Sequence, residues 1–309
     1  MSEVRTERAR LAVAGARSVT VENLGRQPAS DVRKGRLFYA LLLLALSVAI
    51  LGLALLLIEA FIEGGERFGI GLFTDQTGVS PEVSGFQNAI LGTLIVIAGV
   101  IVMTVPLGVG AAVYLEEYAN KERWWNRTIE LNIQNLAAVP SIVYGILGLA
   151  FLVRGPLNLG FVVLAGSMTL ALLVLPTVII SAREAIRAVP PSIREGSLAL
   201  GATQWQTVRR QVLPASIPGI VTGVILAISR AIGETAPLLL VGAATFVTFN
   251  PSGFFDRYTV LPVQIFNYFS RAQEEYRVLA AAGIIVMLIL LLAMNSFAIW
   301  LRNRYERKW

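Results

Sequence analysis

Arg230 and Glu234 are the only charged residues across positions 211–255. Their i, i+4 spacing places them on one face of a helix. A charge within the hydrocarbon of a bilayer costs at least ~2.5 kcal/mol on insertion scales, so it normally faces protein or water. Two readings follow. The first is a self-neutralising structural ion pair. The second is an anion path, in which the planar guanidinium fork matches an oxyanion and the glutamate occupies it between passages. Release must stay easy, so transient pairing suits passage better than a tight site. Two charges alone do not name the anion.

A second constellation lies upstream, over residues 183–214. Pro190-Pro191 stops any preceding helix. Ser192-Ile193-Arg194-Glu195 then matches a capping box, with Ser192 as N-cap and Glu195 reaching back to its backbone N–H. Leu198, Ala199 and Leu200 form a short apolar side, and Gly201 suits the left-handed position after a helix. Thr203-Gln204-Trp205-Gln206 repeats the capping pattern, and Leu213-Pro214 leads into the next apolar run. The segment reads as helix, glycine turn, helix along a membrane surface. A DNA-binding helix-turn-helix has a similar outline, but both ends here are tethered to apolar runs. Two readings stay open: an interfacial hairpin that braces the bundle, or a rigid projection that takes force from a motor outside the membrane. Pro140, Tyr144 and Pro176 are weaker path or hinge candidates, for which helix kinks and packing between spans are the favoured explanation.

The chain of 309 residues contains no histidine and no cysteine. Disulfides, thiol nucleophiles, histidine acid–base catalysis and the usual zinc, haem and iron–sulfur sites are thereby excluded. No catalytic residue, metal or cofactor is expected in this chain. Gly-x4-Gly-Lys-Ser/Thr is missing too, so the chain carries no P-loop for ATP.

The elements that position these residues are membrane spans. Of the residues, 55% are hydrophobic and 15% charged, with a mean hydropathy of +0.67. That leaves too little polar surface to cover a water-soluble globule of this length. Uncharged runs of about 20 residues, long enough to cross ~30 Å as helix, lie at 37–58, within 86–115, at 131–153 around Pro140, and at 155–182 around Pro176. A fifth starts near Gln211 and the last covers 278–301. The expected organisation is a tail over 1–36, a first span within 37–62, an extracytoplasmic loop over 63–85, a core over 86–301 and a tail over 302–309. An all-α integral membrane protein with six spans follows, its termini on one side.

Charge selects the side. Twenty of the 26 lysines and arginines fall in 1–36, 116–130, 183–210 and the C-terminal tail. Both termini and the hairpin are therefore expected in the cytoplasm. The net charge of +6 is topogenic on this reading, and no nucleic-acid partner is expected. Residues 3–17 suit either a surface helix or a flexible tail, with the flexible form favoured. Residues 211–255 would make a helix of roughly 67 Å, about twice the hydrocarbon thickness. With a turn signal at Asn250-Pro251-Ser252-Gly253, the span is expected to end near Leu240. The apolar remainder, 241–277, then packs over the outer face, either as a lid or as simple membrane packing.

Glu195-Gly196-Ser197-x3-Gly201-x9-Gln211-x-Leu213-Pro214 resembles the EAA loop of ABC importer permeases, Glu-Ala-Ala-x3-Gly-x9-Ile-x-Leu-Pro. Gly196, Ser197 and Gln211 depart from that consensus. Residues 229–238, Ser-Arg-Ala-Ile-Gly-Glu-Thr-Ala-Pro-Leu, resemble the Arg-Ala-x-Gly-Glu-Thr-Ala-Pro segment of phosphate importer permeases. Asn88-Ala89-Ile90-Leu91-Gly92-Thr93 and Ala138-Val139-Pro140-Ser141-Ile142-Val143-Tyr144-Gly145 are similar to two further signatures of that family. Ala236-Pro237 and the long outer segment lean to its PstA branch over the sister PstC. The similarity covers about 86–301.

The resemblance implies a six-span type I ABC importer permease with a cytoplasmic coupling hairpin, in a cell membrane. A sister permease, PstC, would complete the path, and two PstB subunits would bind ATP and Mg and hydrolyse the nucleotide. PstS would deliver phosphate from outside. Arg230 and Glu234 would line the path, while Ser192, Glu195, Gly201, Leu213 and Pro214 would couple it to the ATPase. Importers of sulfate, molybdate or phosphonate, and an ion-coupled secondary anion transporter, are the rival expectations.

Overall fold

A computed structural model describes residues 29–120, 122–243 and 247–305, and every regular element among them is helical. Expectations for residues 1–28 and 306–309 lie outside the described residues. The chain divides into two units, Met1–Glu59 and Ala60–Trp309. The described part of the first belongs to helix α1 (Ala29–Gly65). Its apolar side chains, among them Leu41, Leu44, Leu51 and Leu55, are exposed all round, as suits a helix surrounded by hydrocarbon. The helix starts earlier than the span at 37 because Ala29, Arg33, Lys34 and Arg36 are good helix formers. The part of the expected flexible tail that is described, 29–36, is thus helical.

The second unit contains α2 (Gly71–Thr74), α3 (Gln87–Val113), α4 (Trp124–Ala137), α5 (Ser141–Leu147), α6 (Val163–Arg187), α7 (Pro191–Ala199), α8 (Gln204–Thr207), α9 (Leu213–Gly233), α10 (Ala236–Leu240), α11 (Leu261–Phe269) and α12 (Glu274–Tyr305). Helices α3 and α6 pack most extensively, and α9 packs next against α6 while also touching α3. Val96 and Val100 of α3, Leu170, Val174 and Val178 of α6, and Ala227 and Ala231 of α9 share one buried cluster. Small residues set the spacing. A β-carbon at Gly108 would lie 2.7 Å from Val178, so the helices touch there nearly backbone to side chain.

Among the described residues, five helices are long and apolar enough to cross a membrane, and α4 with α5 makes up to six. The third run departs from a plain span. It bends by 103° between α4 and the half-helix Ser141–Val153. Pro140 causes the break: it has no N–H, and it disfavours helical geometry at Val139. It sits at φ −56°, ψ 138°, just before α5. Helix α6 begins at Val163 rather than 155, because Asn158 (φ 42°) and Gly160 (φ 76°) reverse the chain first.

The outer segment is stitched to the bundle by buried polar groups. Asn88 Nδ2 donates to the Val247 carbonyl, while its Oδ1 accepts from Thr77 Oγ1 at 2.8 Å. Thr93 Oγ1 accepts from the Leu261 N–H at 3.0 Å and donates to the Ala89 carbonyl at 2.7 Å. The Phe254 and Asp256 carbonyls take the Leu164 and Val163 N–H groups, at 2.8 and 3.0 Å. Two orphan donors at the start of α6 are satisfied in this way. Tyr258, Thr259, Val260 and Leu261 are consequently fully or almost fully buried.

Candidate translocation path and coupling hairpin

Helix α9 ends at Gly233. Glu234 already has extended geometry, φ −73° and ψ 119°, and Pro237 stands in the first turn of α10. Arg230 and Glu234 therefore straddle a helix end and do not share one helical face. They still meet: Arg230 Nε donates to Glu234 Oε1 at 3.3 Å, with side chains 56% and 15% exposed. Only Nε makes this contact, and among the described residues no hydrogen bond engages the two terminal guanidinium nitrogens. Such a pair is loose, and a two-oxygen ligand could take the free fork.

The break after Gly233 rests on α5. A β-carbon at Gly145 would lie 2.7 Å from the Pro237 Cα, so α10 sits directly on the half-helix. Tyr144, one residue earlier, is buried and donates its hydroxyl to the Leu136 carbonyl at 2.9 Å. That carbonyl belongs to the last turn of α4, where it also accepts from the Val139 N–H at 3.2 Å and cannot receive one from Pro140, which has none. Tyr144 thus pins the bend that Pro140 makes, and both stand at the start of the element on which α10 sits. Pro176 is elsewhere, buried inside an unbroken α6.

In the hairpin, Gly201 has φ +83°. The Ala202 N–H reaches the Ser197 carbonyl at 3.2 Å and the Gly201 N–H reaches Leu198 at 2.9 Å, a Schellman ending for α7. Thr203 and Gln206 form the expected capping box: Gln206 N–H to Thr203 Oγ1 at 3.3 Å, and Thr203 N–H to Gln206 Oε1 at 2.9 Å. The box expected at Ser192 does not form. Pro191 takes the first helical position, so Pro190 becomes the N-cap and Ser192 lies inside the first turn. Glu195 is exposed, and among the described residues it makes no hydrogen bond or ion pair. It is free to meet a partner.

Leu213 and Pro214 open α9, as the lead into the fifth span. Helix runs without a stop from Gln204 to Gly233, through a π-helical turn at Val208–Val212 in which the Leu213 N–H bonds the Val208 carbonyl. The wider turn makes room for Pro214, which can supply no N–H of its own. The second arm of the hairpin and the fifth span are one rod. Ser192, Ile193, Gly196, Leu200, Gln206 and Arg210 help line an open cleft of about 420 Å³ between the arms. At its tip Leu200 is 91% exposed.

Sequence reasoning missed an ionic cluster at this end of the bundle. Arg183, only 6% exposed, gives Nε to Glu116 Oε1 at 3.0 Å and Nη2 to Glu130 Oε1 at 2.8 Å. Arg187 reaches the same Glu116 oxygen at 2.6 Å. The i, i+4 arginines and the Glu116-Glu117 pair were visible as a pattern, but 67 residues separate Glu116 from Arg183.

Residues 104–308 match the family described as binding-protein-dependent transport system inner membrane component. The chain belongs to this permease family. Among its relatives is the Bacillus subtilis probable ABC transporter permease protein YqgI, 31% identical over 80% of this chain and 87% of the relative. The phosphate transport system permease protein PstA of Haemophilus influenzae is 31% identical over 85% of this chain and 91% of its own. The Mycobacterium leprae PstA is 38% identical over 71% and 72%. A solved bacterial alginate ABC transporter in complex with alginate pentasaccharide-bound periplasmic protein superposes a chain with a TM-score of 0.63. It covers 88% of this permease and 97% of that chain at 17% identity, which speaks for the fold alone. The permease is a multi-pass membrane subunit of an ABC transport system.

Proposed function

We propose that this permease is the PstA-type subunit of an ATP-driven inorganic phosphate importer. The observation that carries the reading is its similarity over most of its length to phosphate transport system permeases, joined to the loosely paired Arg230 and Glu234. A sister permease, PstC, completes the path. Two PstB subunits bind and hydrolyse ATP with Mg, so the assembled complex is the ATPase and this chain is not. PstS delivers phosphate, and both termini and the hairpin face the cytoplasm.

In this mechanism ATP closes the nucleotide subunits and displaces the hairpin, which carries Ser192, Glu195 and Gly201. The unbroken rod from Gln204 to Gly233 takes that displacement, past Leu213 and Pro214, to Arg230. Arg230 offsets the cost of an anion within the membrane while Glu234 competes for its guanidinium. Helix α6, with Pro176 inside it, follows together with this rod, and the bend at Pro140, pinned by Tyr144, lets the neighbouring α5 and α10 adjust.

The test is reconstitution with candidate PstC, PstB and PstS in liposomes, following labelled phosphate with and without ATP and with excess sulfate. ATP-dependent uptake that sulfate leaves intact supports the reading. Suppression by sulfate removes the phosphate assignment. Uptake driven by an ion gradient without ATP removes the coupling role of the hairpin.

A further inference from the structure

Helix α3 closes in a π-helical turn at Tyr114–Tyr118, with the Ala119 N–H on the Tyr114 carbonyl at 2.8 Å. The wide turn points two successive carboxylates at two different elements. Glu116 serves α6, as described above. Glu117, its side chain 8% exposed, receives Arg194 of α7 through Nη2 at 2.7 Å and Nε at 3.1 Å. The same arginine donates Nη1 to the Val189 carbonyl at 2.6 Å and Nη2 to the Ile186 carbonyl at 2.9 Å. Those carbonyls lie where α6 gives way to Pro190-Pro191, two residues with no N–H to offer. The Glu117 carbonyl also accepts from Gln204 Nε2, on the other arm of the hairpin.

We propose that Arg194 is a positioning residue, a strut that makes the hairpin and the ends of α3 and α6 move as one body. This rests on the proposed function of the hairpin as the ATPase-coupling element. The backbone alone links the hairpin rigidly only to α9, through the unbroken rod. On the α6 side the helical ladder stops at the two prolines, which form a joint. Arg194 spans that joint with five hydrogen bonds: three on a shielded carboxylate and two on the carbonyls. A forked, charge-assisted set of this kind holds direction as well as distance, which a lysine's point charge does not. Hairpin displacement is thereby shared between α9 and the α3–α6 pair.

The absence of native cysteine makes site-specific labelling direct. In the assembled transporter, spin labels at Ala199→Cys on the hairpin and Leu107→Cys on α3 are expected to keep one narrow distance distribution with and without ATP. Arg194→Met is expected to broaden or split that distribution when ATP is added. It should also lose substrate uptake while ATP hydrolysis continues, and Arg194→Lys should fall between. Glu117→Gln, which keeps the shape of the side chain, should reproduce the broadening if Arg194→Met fails to assemble. A distribution that stays narrow in both variants overturns the strut, as does one that already shifts with ATP in the parent. Unchanged uptake per ATP in Arg194→Met overturns it as well. The distances do not depend on the substrate. Expected distances with no phosphate uptake by the parent would remove the phosphate assignment and leave the strut in place.

Discussion

Gly92 of α3 lies directly beneath the Thr259 carbonyl. A β-carbon at Gly92 would overlap that oxygen. The contact lies between the two polar anchors of the outer segment, Asn88 and Thr93, so one turn of α3 supplies both the hydrogen bonds and the clearance. The Asn88–Thr93 signature is therefore a seat for residues 247–261.

Gly92→Ala should lift the outer segment from α3. Overpacking of a closed site costs about 1–3 kcal/mol, and here the obstruction is backbone that cannot turn aside. A lower melting temperature in detergent, with faster proteolysis near residue 255, is the expected result. An unchanged melting curve would mean that the two elements are not in contact.

Arg230→Gln should abolish ATP-dependent uptake with little loss of stability. An ion pair with a half-exposed partner contributes at most ~1 kcal/mol, so folding and co-purification with the partners should persist. Uptake assays on the purified complex decide the matter. Normal transport by the variant would leave the pair with a structural role only.

Gly201 sits at φ +83° with open space where a side chain would go. Substitution there is opposed by backbone strain of roughly 1–2 kcal/mol, not by collision. Gly201→Val should weaken retention of the ATPase subunit more than Gly201→Asn, since asparagine tolerates the left-handed region. The ATPase stoichiometry of purified complexes reports the order, and equal retention would refute the role of the turn.

Asp256 Oδ2 accepts from the Ser252 hydroxyl at 2.7 Å and from the Ser252 and Gly253 N–H groups at 2.8 and 3.0 Å. The Ser252 hydroxyl and N–H hold its carboxyl below the ordinary carboxylate value. A folded-state pKa below the unfolded one contributes stability that is complete at neutral pH and lost as pH falls through the lowered value. The melting-temperature gap between the parent and Asp256→Ala should therefore be open at pH 7 and begin closing below about pH 4. A gap independent of pH would rule out the ionised carboxylate as the source.

The amino-acid sequence by itself determined the class of this protein, most of its spans and the hairpin. Each follows from local physics: uncharged runs of membrane length, glycine at a left-handed position, and the capping pair Thr203 and Gln206. Motif spacing also singled out Arg230, Glu234, Glu195 and Gly201 as candidates. Where local rules competed, the structure decided between them. Pro191 displaced Ser192 from the cap, a π-helical turn carried the chain past Pro214, and the break at Gly233 took Glu234 off the helix that holds Arg230. Pro140 was legible as a proline, but the 103° bend and the bond from Tyr144 to Leu136 across it are seen only in the structure. The pairings of Arg194 with Glu117 and of Gly92 with Thr259 belong to the tertiary structure alone. A charge or a missing β-carbon has no partner along the chain, and packing brings together residues 77 apart in one case and across half the sequence in the other.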